Sequence, residues 1–237
     1  MTSPAQPPRP DSEEDEAYLP PVGPMTFEEY REFQAASDTR HEFVNGFAFP
    51  LHPIGMSGGT RDHSRITTNV IGRLWPRTQG TGCVIYTQTF ELRAPNGEEY
   101  YPGVMVSCAP EPAGKALFLV DPCLIVEVLS PSTERTDFGE KLDSYVQIPT
   151  LGAYLIVETN WRAVHRHYRD DTGGWRQELV AGGERAIPLP CPASGVLTLD
   201  EIYEGVDLPS EPPSPARLRR IKEPAPDGAY AAAPSDA

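Results

Sequence analysis

The sequence has no long hydrophobic run and no recognisable cysteine motif. No stretch approaches the roughly 18 uninterrupted apolar residues of a membrane-spanning helix, and the N-terminus has no apolar secretory core. These absences predict a soluble protein that stays in the cytoplasm. The cysteines at positions 83, 108, 123 and 191 form no CxxC pair and have no regular spacing. We therefore expect neither a zinc site nor a disulfide framework, and buried reduced thiols are the favoured interpretation.

Basic residues are also scarce, with 20 Lys and Arg against 34 Asp and Glu. Residues 1–24 contain one basic and five acidic residues, and residues 209–237 contain four of each, which leaves 15 basic and 25 acidic residues between them. Binding to DNA without sequence preference depends on Lys and Arg that neutralise phosphates. The acidic balance therefore counts against tight nucleic-acid binding, although a local cleft potential or bound cations can outweigh net charge.

The length of 237 residues is sufficient for one large, stable domain. Residues 1–24 and 209–237 are rich in Pro and poor in large apolar side chains, so we expect both to be disordered tails. The folded domain is predicted to span residues 25–208.

Local patterns predict most elements of that domain. Thr26-Phe-Glu-Glu29 is a capping box, which places a helix from Thr26 to about Ser37. Asn45-Gly46 predicts a tight turn between strands 41–44 and 47–51. Helical spacing of apolar residues predicts a second helix that includes His63 and ends at Pro76. Further strands are expected at 82–87, 89–94, 99–108, 153–158, 163–168 and 175–180.

The stretch from 123 to 148 contains most of the chemistry. Residues 123–129 are apolar except Glu127 and predict a central buried strand. A buried carboxylate requires a cation, a metal or a proton, or a position where the strand opens into a cleft. A turn at Ser130–Thr133 and an apolar repeat then predict a helix of about four turns. Lys141 lies one residue from that repeat, where it could extend back toward Glu127.

These residues resemble the Uma2 (DUF820) family, restriction endonuclease-like proteins of the PD-(D/E)XK nuclease superfamily. The resemblance covers about residues 25–207. It rests on EVLSPSTERTDFGEKLDSY followed by IPTLGAYLIVE, and on MTFEEYREF, RHEFVNG, the helix with His63, YYP and LTLDEIYEGV.

The resemblance implies an α/β (α+β) fold with a restriction-endonuclease-like αβββαβ core, in which helices flank a mixed central sheet and an antiparallel hairpin is added. It also implies hydrolysis of phosphodiester bonds in DNA with Mg²⁺ or Mn²⁺ held by two strand carboxylates. Nucleases of this fold often act on two strands as dimers, so a homodimer is among the expected partners.

By resemblance, Glu127 is the second metal carboxylate and Lys141 replaces a catalytic lysine whose usual place is Leu129. Glu42 and His63 are expected to border the same site. The alternatives are an exposed strand carboxylate for Glu42, a helix-start residue for His63, and a surface pairing of Lys141 with Asp137 at i−4.

The chief departure from the family is Gly103, where the family has the first metal-ligand Asp. Glycine has no side chain to coordinate an ion, so Mg²⁺ binding is expected to be weakened or lost. Glu99 would lie on the same strand face about 13 Å away, and Asp121 is a weaker substitute than Glu42.

His165 and His167 alternate along one predicted strand. They have no acidic or cysteine partner at ligand spacing, so a surface position is favoured over a metal pair.

Two function classes follow. The first is a Uma2-type metal-dependent endonuclease impaired at Gly103. The second is an inactive nuclease-fold module that binds nucleic acid, a nucleotide or a protein partner. A structural domain without cleft chemistry is a third interpretation.

Overall fold

A computed structural model describes residues 21–51, 60–110, 116–130, 134–183, 185–192 and 195–212. The helices are α1 (Phe27–Ala36), α2 (Arg61–Thr78), α3 (Glu134–Phe138), α4 (Glu140–Tyr145) and α5 (Leu199–Ile202). The strands are β1 (His41–Val44), β2 (Phe47–Pro50), β3 (Val84–Thr87), β4 (Glu91–Arg93), β5 (Glu99–Tyr100), β6 (Val104–Ser107), β7 (Phe118–Leu119), β8 (Leu124–Val128), β9 (Ala153–Val157), β10 (Ala163–Arg169), β11 (Trp175–Ala181), β12 (Ala186–Pro188) and β13 (Val196–Thr198).

The central sheet has the order β11-β10-β9-β8-β6-β3. The β8–β9 pair is parallel, whereas the neighbouring pairs are antiparallel, so the sheet is mixed. Along the chain, α2, β3, β6, β8, α3 with α4, and β9 follow one another in the αβββαβ order, and β10 with β11 adds an antiparallel hairpin. The fold class predicted from the sequence is confirmed.

Both faces of the central sheet are covered, which explains the almost continuous apolar run of β8. Leu124, Val126 and Val128 pack in the same cluster as the buried residues of α2. Ile125 belongs to the opposite cluster, together with Leu142 and Tyr145 of α4. Because side chains alternate along a strand, Glu127 projects to the α4 side with Ile125.

A second sheet, with the order β2-β1-β5-β4-β7, places the hairpin beside the central sheet. Asn45 and Gly46 have φ values of 51° and 80°, as a tight turn of this kind requires. α1 packs against the hairpin through Tyr30, which stacks on Phe43. Thr26 and Glu29 form the predicted capping box, so that the first helix and the hairpin are confirmed.

The single strand predicted for residues 99–108 is wrong. The chain leaves the second sheet after Tyr100 and enters the central sheet at Val104, so β5 and β6 belong to different sheets. Pro102 lies in the break, where it has no N–H to donate to a ladder.

Two helix boundaries also differ from the sequence-based prediction. The helix after the central strand is divided into α3 and α4 at Gly139, which has φ −113° and ψ −106°. The turn residues 131–133 lie outside the described residues. α2 continues two residues past Pro76, to Thr78, although Pro76 has no N–H to donate to the carbonyl of Gly72.

The prediction of reduced thiols is wrong for this structure, since Cys83 is bonded to Cys108 and Cys123 to Cys191. The partners are 25 and 68 residues apart in the sequence. Pairing of β3 with β6 aligns Cys83 with Cys108, and the β12–β13 connection places Cys191 beside Cys123, so no local motif signals either bond.

The predicted tails lie mostly outside the described residues. Within the described part of the chain, none of the helices is both long and apolar enough to cross a membrane.

Candidate active site

Glu127 is buried near the C-terminal end of β8 and uses both carboxylate oxygens. Its Oε2 accepts a hydrogen bond of 2.8 Å from the N–H of Gly103, and its Oε1 accepts one of 3.0 Å from Lys141 Nζ. The strand places the carboxylate on the α4 side of the sheet, where Lys141 is in the first turn of the helix. The isolated acid in an apolar strand therefore has a fixed cationic partner.

Lys141 Nζ is the centre of a cluster that we call the Glu127 group, which consists of Lys141 and the carboxylates of Glu127, Asp137 and Glu42. It lies 3.0 Å from Glu127 Oε1, 3.0 Å from Asp137 Oδ1 and 3.7 Å from Glu42 Oε1. All four side chains are buried. One ammonium thus faces three carboxylates, an excess of negative charge that water does not screen well in this environment.

Glu42 enters the group from β1 in the second sheet. Its Oε1 accepts a hydrogen bond of 3.2 Å from the N–H of Tyr101, in the segment that joins β5 to β6. The strand break at Tyr101–Gly103 therefore contributes two backbone N–H groups, one to Glu42 and one to Glu127.

Asp137 is the member of the group that sequence reasoning did not assign to the site. It was considered only as a surface partner of Lys141, and the same i, i+4 spacing is what places it against the buried ammonium. Although Nζ is close, Oδ1 accepts no hydrogen bond with favourable geometry from the described residues.

Burial and charge shift the titration of this group. Burial raises the pKa of Glu127 to about 7; Lys141 lowers it and Asp137 raises it further. Burial alone would lower the pKa of Lys141, but the carboxylates of Glu127, Glu42 and Asp137 raise it well above its ordinary value. The lysine is therefore a permanent cation at neutral pH, whereas Glu127 is close to its protonation midpoint.

His63 lies beside the group without joining it. Its backbone N–H donates a hydrogen bond to the hydroxyl of Thr60 at the start of α2. Its ring Nε2 is 3.0 Å from the carbonyl oxygen of Val128. Burial lowers the pKa of this imidazole, against the raising effects of the Val128 carbonyl and Asp137. A neutral ring that donates from Nε2 ties α2 to the end of β8.

Gly103 borders the carboxylate of Glu127 directly. A Cβ atom at this position would lie 3.2 Å from Glu127 Oε2 and 3.2 Å from the carbonyl oxygen of Val126. The backbone of Gly103 is outside the left-handed region, so its conformation allows an L side chain. A side chain there requires the Glu127 carboxylate and the Val126 carbonyl to move by a few tenths of an ångström. A carboxylate here would be the immediate neighbour of Glu127.

The family model for Uma2, described as "Putative restriction endonuclease", matches residues 27–200. The chain belongs to the Uma2 family. It is 29% identical over 188 residues to the uncharacterized protein slr1290 of Synechocystis, covering 78% of this chain and 95% of that protein. It is 32% identical over 168 residues to the uncharacterized protein sll1609 of the same organism, covering 69% and 91%.

Among solved structures, the chain resembles the crystal structure of a putative nuclease belonging to DUF820 from Anabaena variabilis. The TM-score is 0.61 at 15% identity, covering 76% of this chain and 98% of that chain. At this level of identity the similarity establishes the nuclease-like fold.

In this Uma2 chain, other candidate residues lie away from the group. Glu99 is fully buried but pairs with Arg31 and Arg93, because the strand break places it in the second sheet. Asp121 precedes β8, at the end opposite Glu127, where Ser107 donates to its Oδ1. Neither one replaces the missing carboxylate at Gly103.

The prediction that His165 and His167 lie on the surface is wrong, since both are buried. His165 Nε2 lies 3.0 Å from Glu158 Oε1, a partner at the end of the neighbouring strand. His167 stacks on Tyr154 of β9. His165 also packs edge-on against Phe138 of α3, so a helix covers this face of β10, which the alternating pattern alone did not indicate.

Proposed function

We propose that this protein is a metal-dependent hydrolase of phosphodiester bonds in DNA, of the Uma2 type, whose activity is impaired by Gly103. The observation that supports this most strongly is the buried pairing of Glu127 with Lys141, with Glu42 beside them, at the end of a nuclease-like sheet. The family match provides the substrate class.

The side chains present fit a hard divalent cation in part. Three carboxylates share one ammonium, and the buried Oδ1 of Asp137 accepts no hydrogen bond from described residues. Such oxygen donors suit Mg²⁺ or Mn²⁺. Glu127 and Glu42 would hold the ion, but the carboxylate expected at Gly103 is missing, so its affinity should be low. When bound, the ion would offset charge on the phosphate oxygens.

Lys141 contributes a fixed positive charge. Its raised pKa keeps the ammonium protonated at neutral pH, so it is suited to donating hydrogen bonds to a water or a phosphate oxygen. The raised pKa also makes Lys141 a poor base. Burial raises the pKa of Glu127, so binding a cation at this carboxylate would favour its ionised form and release a proton near neutral pH.

His63 has a positioning role in this proposal. Its ring holds the carbonyl of Val128, the residue after Glu127, and thereby fixes the end of β8.

An inactive binding module is the second candidate, and Gly103 is the specific observation that favours it. The protein would then retain the nuclease fold and use the cleft for nucleic acid, a nucleotide or a protein partner. The charge of residues 25–208, with 25 acidic against 15 basic residues, also favours this second candidate, because it predicts only weak contact with DNA phosphates.

Plasmid nicking in Mg²⁺ or Mn²⁺ separates these candidates. We expect little or no nicking by the unmodified chain and at least about tenfold more by Gly103→Asp, because even outer-shell changes at metal sites alter activity about 10–100-fold. Gly103→Asn is the matched control, since it has the same size but no charge. Gly103→Asp combined with Glu127→Ala should return to background.

Two results would contradict the proposal. One is nicking by the unmodified chain that equals that of Gly103→Asp and persists after Glu127→Ala. The other is the absence of nicking by a folded Gly103→Asp variant with bound Mn²⁺, which would favour the binding module.

We include a homodimer in the proposal, because cleavage of both strands of a DNA duplex needs two active sites. We also include a cytoplasmic location, because the proposed substrate is cellular DNA. Sedimentation of the full chain with and without a DNA duplex measures the first, and cell fractionation the second.

A further inference from the structure

The cysteines at 83, 108, 123 and 191 meet at one end of the central sheet. Cys83 immediately precedes β3, Cys108 follows β6, Cys123 precedes β8, and Cys191 lies between β12 and β13. Because β3, β6 and β8 are adjacent, the register places Cys83 opposite Cys108 and Cys123 next to them. We name these side chains the cysteine tetrad.

The sulfur atoms of the tetrad are close even where they are not bonded. Sγ of Cys108 and Sγ of Cys123 are 3.6 Å apart, although they belong to different disulfides. Sγ atoms of Cys108, Cys123 and Cys191 all lie within 4.8 Å of one another, and Cys83 is bonded to Cys108. A tetrahedral zinc site with Zn–S bonds of about 2.3 Å separates its sulfurs by about 3.8 Å.

We propose that the tetrad, when reduced, binds one Zn²⁺ as four thiolates and thereby joins β3, β6, β8 and the β12–β13 connection. Thiolates are soft ligands that select zinc over Mg²⁺. Cys108 is exposed and Cys191 is buried, so an ion can enter the tetrad from the Cys108 side, while the protein shields the Cys191 side from solvent.

This zinc site is separate from the Glu127 group. Cys123 and Glu127 are four residues apart on the same strand, about 13 Å. The two sites also differ in donor chemistry, with sulfur at one end of β8 and oxygen at the other. Zinc binding by the tetrad therefore does not depend on nuclease activity.

A phosphine converts the tetrad to its reduced form. Each disulfide reacts with one molecule of a phosphine and one of water, giving two thiols and the phosphine oxide. Zn²⁺ then binds four thiolates with release of four protons, so binding strengthens as pH rises.

The test uses the full chain, reduced with a phosphine under anaerobic conditions and freed of metal by a chelator. Co²⁺ is titrated first as a spectroscopic probe, and Zn²⁺ is then added in competition. We expect one Co²⁺ per chain, with intense thiolate-to-cobalt charge transfer and tetrahedral visible bands, and its displacement by one Zn²⁺. Zn²⁺ should also protect all four thiols from alkylation, counted by mass spectrometry.

Cys123→Ser should weaken cobalt binding and lower the thiolate-to-cobalt charge-transfer intensity, whereas Glu127→Gln should leave both unchanged. Because the principal measurements use the unmodified chain, they remain decisive if Cys123→Ser fails to fold. The inference is overturned if reduced protein shows only weak, oxygen-ligated cobalt bands and Zn²⁺ leaves the thiols reactive. Loss of the tetrahedral signal in Glu127→Gln would overturn it as well. If the thiols do not bind metal and simply re-form the 83–108 and 123–191 bonds in air, they are structural disulfides only.

Discussion

At the residue scale, Lys141 is the side chain on which the Glu127 group depends. Among the described residues, its ammonium lies within 4 Å of three buried carboxylates. A buried ion pair contributes little net stability, but loss of one partner leaves charge without compensation. The stability of the fold and the electrostatics of the site are therefore linked through one nitrogen atom.

We predict that Lys141→Met lowers the free energy of unfolding by about 3–5 kcal/mol, because Glu127, Glu42 and Asp137 lose their common cation. Urea denaturation at pH 8 measures this. The matched control is Arg73→Met, which removes a cation from the exposed pair with Glu204 and should cost less than about 1 kcal/mol. Adding Glu127→Gln to Lys141→Met should recover part of the loss, and equal costs for the two single variants would contradict the prediction.

His167 provides a test of pH dependence. Burial, and next His165, lowers its pKa from 6.5 to about 4. Because folding lowers this pKa, the neutral imidazole contributes its full stability above pH 6.5. This contribution is lost as the pH falls toward 4, since the unfolded chain takes up the proton first. We predict that the loss amounts to up to about 3 kcal/mol over this window.

Urea denaturation of the unmodified chain and of His167→Gln between pH 8 and pH 4 isolates this contribution. Glu127 titrates in the opposite sense, since its raised pKa favours the folded state as pH falls. The difference between the two proteins cancels that effect. Parallel pH profiles would show that His167 does not titrate as expected.

At the element scale, α1 depends on its N-terminal capping box. Thr26 accepts from the N–H of Glu29, and the Glu29 carboxylate accepts from the N–H of Thr26. We predict that Thr26→Ala lowers the free energy of unfolding by about 1 kcal/mol. Thr68→Ala, an exposed site within α2 whose hydroxyl bonds the Ser64 carbonyl, should be neutral or slightly stabilising, because Ala favours helix.

Thermal or urea unfolding of these two variants compares the same chemical change at a helix start and within a helix. Equal effects at both positions would contradict a specific role for the capping box.

The elements that the sequence predicted well are those with local signals. The capping box at Thr26, the Asn45-Gly46 turn and the apolar run around Glu127 all correspond to observed elements. The breaks at Gly139 and at Tyr101–Gly103 were missed, because they depend on which sheet or helix face the chain must reach.

The contact of Glu127 with Lys141 was anticipated, whereas the contribution of Asp137 was not. The buried positions of His165 and His167 and the meeting of the cysteines depend on contacts between residues far apart in the sequence. Single-sequence patterns do not contain that information.

At the scale of the whole molecule, contacts extend slightly beyond residues 25–208. Val22 exchanges two backbone hydrogen bonds with Ala48, and the carbonyl of Pro209 accepts from the N–H of Arg162. Each such bond contributes about 0.5–1.5 kcal/mol. We predict that a chain of residues 21–212 keeps the unfolding free energy of the full chain, while residues 25–208 lose roughly 1.5–4.5 kcal/mol.

Urea denaturation of the three chains measures this difference. Equal stability of all three would show that the terminal contacts are unimportant. A large loss in 21–212 would show that residues outside this range contribute to the fold.

The most direct test of the candidate site is anomalous scattering from crystals soaked in Mn²⁺. We expect a strong manganese peak between the carboxylates of positions 103 and 127 in Gly103→Asp. A weak peak or none is expected at the same concentration in the unmodified protein and in Gly103→Asn. A strong peak against Glu127 in the unmodified protein, or no peak there in a well-ordered Gly103→Asp crystal, would contradict a metal site disabled by the loss of one carboxylate.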